Sequence, residues 1–341
     1  MSSAVDTAHG ALKAVLAGDD LDRPTTEALF GQLMDGELTE VMKSALLVAL
    51  LMKGEAVSEI AGAAAAMRGR VRRIPHGEAS VIDTCGTGGD GKGTFNVSTA
   101  AALVAASAGA KVAKHGNRSV SSRSGSADVL AALGVRIDLE PEEAGRALAE
   151  VGIAFLFAPK LHPAMKEVMP VRKELGVRTI FNVLGPLTNP AGAKRQLMGV
   201  YSAHLVEPLA HVLKELGAEH AMVVHGADGL DEITVTGPTH VAEVKGGEVR
   251  AYTLEPSGLG VEPAPESALL GGEPAENAEM FDALIDGEAG PRLEITVLNA
   301  GAALYVSGVA PGLEEGVRRA REAIASGAAR TTLDALRRFG R

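Results

Sequence analysis

The sequence contains no tryptophan, three tyrosines and seven phenylalanines, so aromatic rings supply little of any core. Its single cysteine, Cys85, excludes an internal disulfide framework and suits a reducing compartment. Long apolar runs are missing too. The longest strongly apolar stretch, Ala45 to Met52, falls well short of the ~20 residues of a membrane span. The N-terminus lacks the basic start and apolar run of a secretory signal. Positive charge is in deficit: 43 acidic against 33 basic residues give a net charge of −10. That balance argues against a broad nucleic-acid footprint. These absences predict a soluble cytoplasmic protein without membrane or nucleic-acid partners.

Glycine, by contrast, is plentiful, at 41 of 341 residues against a usual ~7%. The excess implies many positions needing positive φ or close backbone approach. The length allows two domains. An Ala, Val, Leu and Ile core fits helices packed on a sheet.

Residues 1–73 read as four short helices, the third over Thr39–Lys53 and the fourth capped by Ser58 and running to Met67. Four such helices enclose little core, so this block is expected to pack on something else. The basic stretch Arg68–Pro75 reads as a solvated connector. From residue 80 short apolar runs alternate with helical stretches. Strands are expected at 80–84, 111–114, 135–138, 153–157, 196–201, 221–225 and 295–298. Helices are expected at 96–108, 203–216 and 312–326. The alternation predicts an α/β fold with a mostly parallel sheet flanked by helices, plus a smaller all-helical domain. Residues 246–292, rich in Gly, Pro and Glu, carry no readable pattern.

Between strand 80–84 and the following helix lies Cys85-Gly-Thr-Gly-Gly-Asp-Gly-Lys-Gly-Thr94. Glycines let backbone N–H groups approach an anion, and the helix N-terminus adds a favourable dipole. Thr87, Thr94, Ser98 and Thr99 add hydroxyls. Gly86 to Gly91 matches a dinucleotide fingerprint, but Lys114-His-Gly-Asn-Arg118 follows the next strand where an acidic residue is wanted. Gly86 to Lys92 nearly matches a P-loop, but Gly93 stands where Ser or Thr must be. The loop alone therefore names an anion and not its owner. Lys114 to Ser126 offers three basic side chains and five serines at the same sheet edge. Asp231 and Glu232 follow a further strand and suit a magnesium ion shared with substrate phosphates. Cys85 reads as a small buried residue. No nucleophile stands out, which suits chemistry in which diphosphate leaves.

Five segments together resemble the anthranilate phosphoribosyltransferase family: Asp83–Asp90, Phe95–Thr99, Lys114–Ser122, Arg172–Asn182 with Leu184–Pro190, and His225–Glu232. The resemblance implies transfer of phosphoribose from 5-phosphoribosyl 1-diphosphate to the amine of anthranilate, in tryptophan biosynthesis, with Mg2+. It implies a nucleoside phosphorylase/phosphoribosyltransferase-like fold, with a helical domain at 1–73, an insertion near 169–190 and an α/β domain at 74–341. A homodimer through the helical domain is implied as well. By resemblance, Gly86, Gly89, Asp90, Thr94, Asn96, Val97, Ser98 and Thr99 line the phosphoribosyl diphosphate site. Lys114, His115, Gly116, Asn117, Arg118, Ser119, Val120, Ser121 and Ser122 close over it, and Ser126 touches it. Ser98, Asp231 and Glu232 serve magnesium. Gly86, Asn117 and Arg172 address anthranilate, and His162 lines the path by which it arrives. The competing readings are a pyrimidine nucleoside phosphorylase and a non-catalytic nucleic-acid-binding relative.

Overall fold

A computed structural model describes residues 2–119 and 123–340. Seven strands form one sheet: β1 (Ile82–Asp83), β2 (Val112–Gly116), β3 (Ile153–Phe157), β4 (Arg195–Gly199), β5 (His220–Gly226), β6 (Thr239–Lys245) and β7 (Glu248–Leu254). Their order is β3-β2-β1-β4-β5-β6-β7. The first five are parallel, and β6 and β7 add an antiparallel edge.

The chain opens with helices α1 (Ser2–Leu16), α2 (Arg23–Met34), α3 (Glu40–Lys53) and α4 (Val57–Arg68). Next come α5 (Val97–Ser107), α6 (Ser126–Ala132), α7 (Pro141–Glu150) and α8 (Ala158–Leu161). Then follow α9 (Met169–Leu175), α10 (Phe181–Leu184) and α11 (Val206–Glu215). The C-terminal set is α12 (Pro274–Ile285), α13 (Pro291–Ser307), α14 (Leu313–Ala325) and α15 (Ala328–Arg338).

Alternate residues of β5 point to opposite sides, as the two-residue period of a strand requires. Met222 and Val224 join one core with α5, α13, α14 and α15, while Ala221 and Val223 join another. That second core answers what the N-terminal helices pack on. Leu29, Leu33, Leu47 and Leu50 share it with Val183, Leu184 and Leu187 of the 169–190 stretch, and with Leu209 and Leu213 of α11. Small residues make the fit: a side chain on Gly62 of α4 would strike the Arg23 carbonyl at 2.6 Å.

The structure corrects several expectations. Arg68–Pro75 is a connector, exposed at Arg72, Arg73 and Pro75, but not all of its charge is solvated. The Arg68 guanidinium donates to the Leu187 and Leu216 carbonyls at 2.7 and 3.0 Å, and burial pulls its pKa down to about 10. Arg70 pairs with Asp35 and Arg72 with Glu140. Ser58 is not the cap of α4. The helix starts two residues earlier, with Ala56 at the cap; Glu59 accepts from the Ala56 amide at 2.8 Å, and Ser58 donates to the Leu21 carbonyl instead. Residues 135–138 form no strand; they link α6 to α7, with Arg136 held by Glu143. Residues 295–298 lie inside α13, which is buried on nearly every face from Leu293 to Leu304. A helix buried all round shows no 3.6-residue period, and its β-branched run mimics a strand. The unread stretch from 246 contains β7 and α12, and Gly246-Gly247 makes the β6–β7 turn at φ 60 and 80.

Helices α13 and α14 meet backbone to backbone. A Cβ on Gly316 would lie 2.2 Å from the Gly301 carbonyl oxygen. We expect Gly316→Ala to lower stability by about 1–3 kcal/mol, the usual cost of overpacking, read as a lower midpoint in urea denaturation. An unchanged midpoint would mean the two helices separate freely.

Candidate active site

The strand order reverses between β1 and β4, because the chain runs outward to β2 and β3 on one side and to β4 and β5 on the other. In parallel sheets ligands bind beyond the strand ends at such a switch point. The glycine loop leaves β1 there. Its base is pinned to β4: the Thr87 amide donates to the Gly199 carbonyl at 2.8 Å, and the Tyr201 amide donates to Thr87 Oγ1 at 3.1 Å. Any side chain on Gly86 would meet the Gly199 oxygen at 2.8 Å, and one on Gly199 would meet the Asp231 carbonyl oxygen at 1.5 Å. Gly88, Gly89, Gly91 and Gly93 all have positive φ. The amides of Gly89, Asp90 and Gly91 donate to no partner among the described residues. Consecutive free amides in a glycine-rich turn form an anion-binding concavity.

The far edge of the loop is held by the stretch that had no readable pattern. The Phe95 amide donates to the Leu269 carbonyl and the Gly271 amide to the Gly93 carbonyl, at 3.0 and 2.9 Å. Asn277 of α12, buried, donates to Asn96 Oδ1 at 3.0 Å, while Asn96 donates to the Ser124 carbonyl. Asn96 thus joins three segments at the start of α5.

Carboxylates gather beside the loop. Asp90 Oδ2 accepts from the Asp231 amide at 3.4 Å, and Glu232 Oε1 accepts from the Ser98 amide at 3.1 Å. Desolvation raises the pKa of both Asp231 and Glu232. Repulsion adds to it, chiefly from Asp90 on Asp231 and from Asp231 on Glu232. Lys114 partly offsets Glu232; its Nζ lies 3.3 Å from Ser98 Oγ. Ser98, Asp231 and Glu232, predicted as one set, are therefore brought together, and Asp90 joins them. Oxygen donors bearing excess negative charge suit a divalent cation, which would relieve their repulsion.

Lys114 and His115 lie inside β2 and are buried, so they form the floor of this edge and not a cover. His115 Nε2 meets His162 Nε2 at 3.0 Å. Burial, then the neighbouring His162, pulls the His115 pKa down to about 3; burial takes His162 to about 4. The pair is neutral at physiological pH. Asp83 sits behind them. Its carboxylate accepts from the Cys85 and His115 amides and from Asn189 Nδ2, and burial raises its pKa to about 6. Burial also raises the Cys85 thiol, so it is no thiolate nucleophile. Val97 and Thr99 are buried in the first turn of α5.

Past β2, Asn117 and Arg118 are exposed. Asp128 organises this turn. It accepts from the Ser119 and Gly125 amides at 3.0 Å each and from Arg118 at 2.8 Å, which holds its pKa below the usual range despite some desolvation. Ser126 donates to the Asn117 carbonyl at 3.2 Å. Val120, Ser121 and Ser122 lie outside the described residues. Arg172, on α9, lies 5.7 Å from the Phe181 ring centroid, and burial lowers its pKa. Among the described residues it has no carboxylate partner and no hydrogen bond to Gly86 or Asn117.

Sequence reasoning missed Asp128, Arg178 and Asn277. Asp128 was findable, since an acidic residue at the third position of a helix is a capping signal. Arg178 lies inside the Arg172–Asn182 segment that carries the family resemblance, though no role was assigned to it, and nothing in the sequence marks Asn277.

Comparison with known proteins reads this geometry. The glycosyl transferase family a/b domain matches residues 78–330, and the family's helical bundle domain matches residues 10–71. An anthranilate phosphoribosyltransferase of Symbiobacterium thermophilum is 52% identical over 328 residues, covering 96% of each chain. One from an Anaeromyxobacter species is 54% identical over 323 residues, covering 95% of this chain and 96% of the other. The chain belongs to the anthranilate phosphoribosyltransferase family. The crystal structure of the Thermus thermophilus enzyme superposes with a TM-score of 0.92 at 48% identity, covering 96% of this chain and 98% of that one. A Saccharomyces cerevisiae enzyme in complex with PRPP and Mg gives 0.88 at 28% identity, covering 97% of each. Membership in this family sets aside the phosphorylase and nucleic-acid-binding readings.

Crowded carboxylates imply a trade between activity and stability. Because the folded-state pKa values are raised, the metal-free protein should lose stability as pH rises through them. We expect Asp231→Asn and Glu232→Gln each to stabilise the metal-free protein at pH 8 by about 1 kcal/mol, while transferase activity drops by about 100-fold or more. Thermal denaturation and turnover, measured side by side, check this. Variants that lose both stability and activity would refute the repulsion.

Proposed function

We propose that this chain transfers the phosphoribosyl group of 5-phosphoribosyl 1-diphosphate to the amine of anthranilate, releasing diphosphate, in tryptophan biosynthesis. One observation carries the reading. Free glycine-loop amides lie beside the neighbouring carboxylates of Asp90, Asp231 and Glu232 at the sheet's switch point. They do so in a chain more than half identical to anthranilate phosphoribosyltransferases along nearly its whole length.

In this reading the Gly89–Gly91 amides and Arg118 hold the diphosphate. Asp90, Ser98, Asp231 and Glu232 hold magnesium, which neutralises the leaving diphosphate when bound. The amine of anthranilate is neutral near pH 7 and attacks with its own lone pair. His115 and His162, neutral and committed to each other, present an uncharged wall to it. Arg172 is available for the anthranilate carboxylate, a pairing that favours a guanidinium. Catalysis then rests on positioning and electrostatics.

The same reading divides the chain into a helical domain, 1–73 with 169–190, and an α/β domain over the rest of 74–341. Val171, Val183 and Leu187 pack with α1–α4, which favours grouping them, although the same core continues into α11 and the sheet. A cytoplasmic location is also part of it: a free thiol at Cys85 and charged, membrane-impermeant substrates suit it.

The decisive test is the loss of anthranilate fluorescence on adding phosphoribosyl diphosphate and Mg2+. With no tryptophan in the chain, protein background is low. Folded protein that leaves the signal unchanged would end the assignment. A homodimer through the helical domain is supported by the apolar surface of α1 and α3, where Leu16, Val41 and Met52 are 70%, 80% and 79% exposed. Sedimentation should give a dimer for the wild type and a monomer for Val41→Lys/Met52→Lys. A monomeric wild type would remove the proposal.

A further inference from the structure

Arg178 was assigned no role by sequence, yet it reaches the glycine loop. It lies just past α9 in an exposed stretch, six residues after Arg172. Its guanidinium stacks on the Tyr201 ring, 4.2 Å from the centroid, and donates to the Gly89 carbonyl. Tyr201 is itself tied to the loop, through its amide to Thr87 Oγ1. One face of the guanidinium is thus fixed by an aromatic ring, while an edge is spent on a single backbone oxygen.

That oxygen matters because a trans peptide is planar, with its C=O and following N–H pointing in opposite directions. Holding the Gly89 carbonyl toward Arg178 turns the Asp90 N–H to the other side of the loop, where it has no protein partner. This peptide turns about ψ of Gly89 and φ of Asp90, and Gly89, at φ +82, has no side chain to oppose the rotation. The free amides line up only while the peptide is held.

We propose that Arg178 is a positioning residue for the phosphoribosyl diphosphate loop: it fixes the Gly89–Asp90 peptide so that the Asp90 amide faces the diphosphate, and it ties this loop to the segment carrying Arg172. The inference rests on the transferase reading above. Arg178 touches no reacting atom; it removes a conformational cost that the substrate would otherwise meet on binding. Its loss therefore falls on binding of the diphosphate substrate and not on the chemical step.

The experiment is steady-state kinetics on Arg178→Ala, Arg178→Lys and Tyr201→Leu, with wild-type turnover as the control that separates this claim from the assignment itself. Arg178→Ala should raise KM for phosphoribosyl diphosphate about tenfold, the equivalent of one hydrogen bond, with kcat within about twofold of wild type. Tyr201→Leu should shift the same KM in the same direction, because the ring holds the guanidinium. Arg178→Lys keeps the charge but loses the flat, stacked donor, and should recover only part of the loss. Unchanged KM in Arg178→Ala would overturn the proposal. So would a fall in kcat at unchanged KM, or full recovery by lysine, since the last would reduce the effect to charge. Matching melting temperatures for wild type and Arg178→Ala exclude misfolding as the cause.

Discussion

Three strand ends meet main chain against main chain, with the Asp231 carboxylate beside Gly86. Gly86 after β1, Gly199 at the end of β4 and the Asp231 carbonyl after β5 are stacked so closely that no side chain fits at either glycine. Several functional groups hang from these three ends. Thr87 and the free amides follow Gly86, Tyr201 follows Gly199, and Glu232 follows Asp231. Since misplacement by about 1 Å can cost a hundredfold in rate, the contact acts as a dimensional reference. The distance from the amide concavity to the carboxylates is set by van der Waals radii, not by flexible side chains.

The charges around that reference are arranged in two contrasting ways. Asp83 is wholly buried, but three donors converge on its carboxylate, so its role is to hold the ends of β1 and β2 and the Asn189 turn together. Asp231 and Glu232 have few such donors, and their charges repel each other and that of Asp90. The first arrangement is structural satisfaction; the second leaves a need unmet by the protein. Natural sequences break the rules of stable packing mainly where a ligand completes them, and the contrast within a few residues of sequence separates scaffold from site.

What could be read in the sequence divides along the same line. The glycine loop, Ser98 and the Asp231-Glu232 pair were legible because each lies in a short, chemically explicit segment next to a strand. The N-terminal helices were legible from spacing, and their need for a packing surface from their small size. By contrast, the partners that make the loop rigid come from far away: Asn277 from α12, Leu269 and Gly271 from the segment before it, Arg178 from the turn after α9. No local pattern encodes a contact made across half the chain. The strand expected at 295–298 failed for a related reason. Helix α13 is enclosed on all sides by the sheet, α5 and α14, and enclosure erases the amphipathic period that would have marked it. The basic connector was misread at Arg68, because charge was taken to mean solvent, whereas Arg68 spends its charge on the Leu187 and Leu216 carbonyls.

The pairing of residues 93–95 with 269–271 carries a consequence for how the protein comes into being. The glycine loop leaves the ribosome early, but the strip that backs it, and the α12 asparagine that locks Asn96, are made only when most of the chain has emerged. Until then the loop is a run of glycines with no second wall. Contacts of such long sequence separation form late and slowly. A nascent or truncated chain can therefore own every residue of the recognition motif and still lack the site, so competence arrives as a single late event.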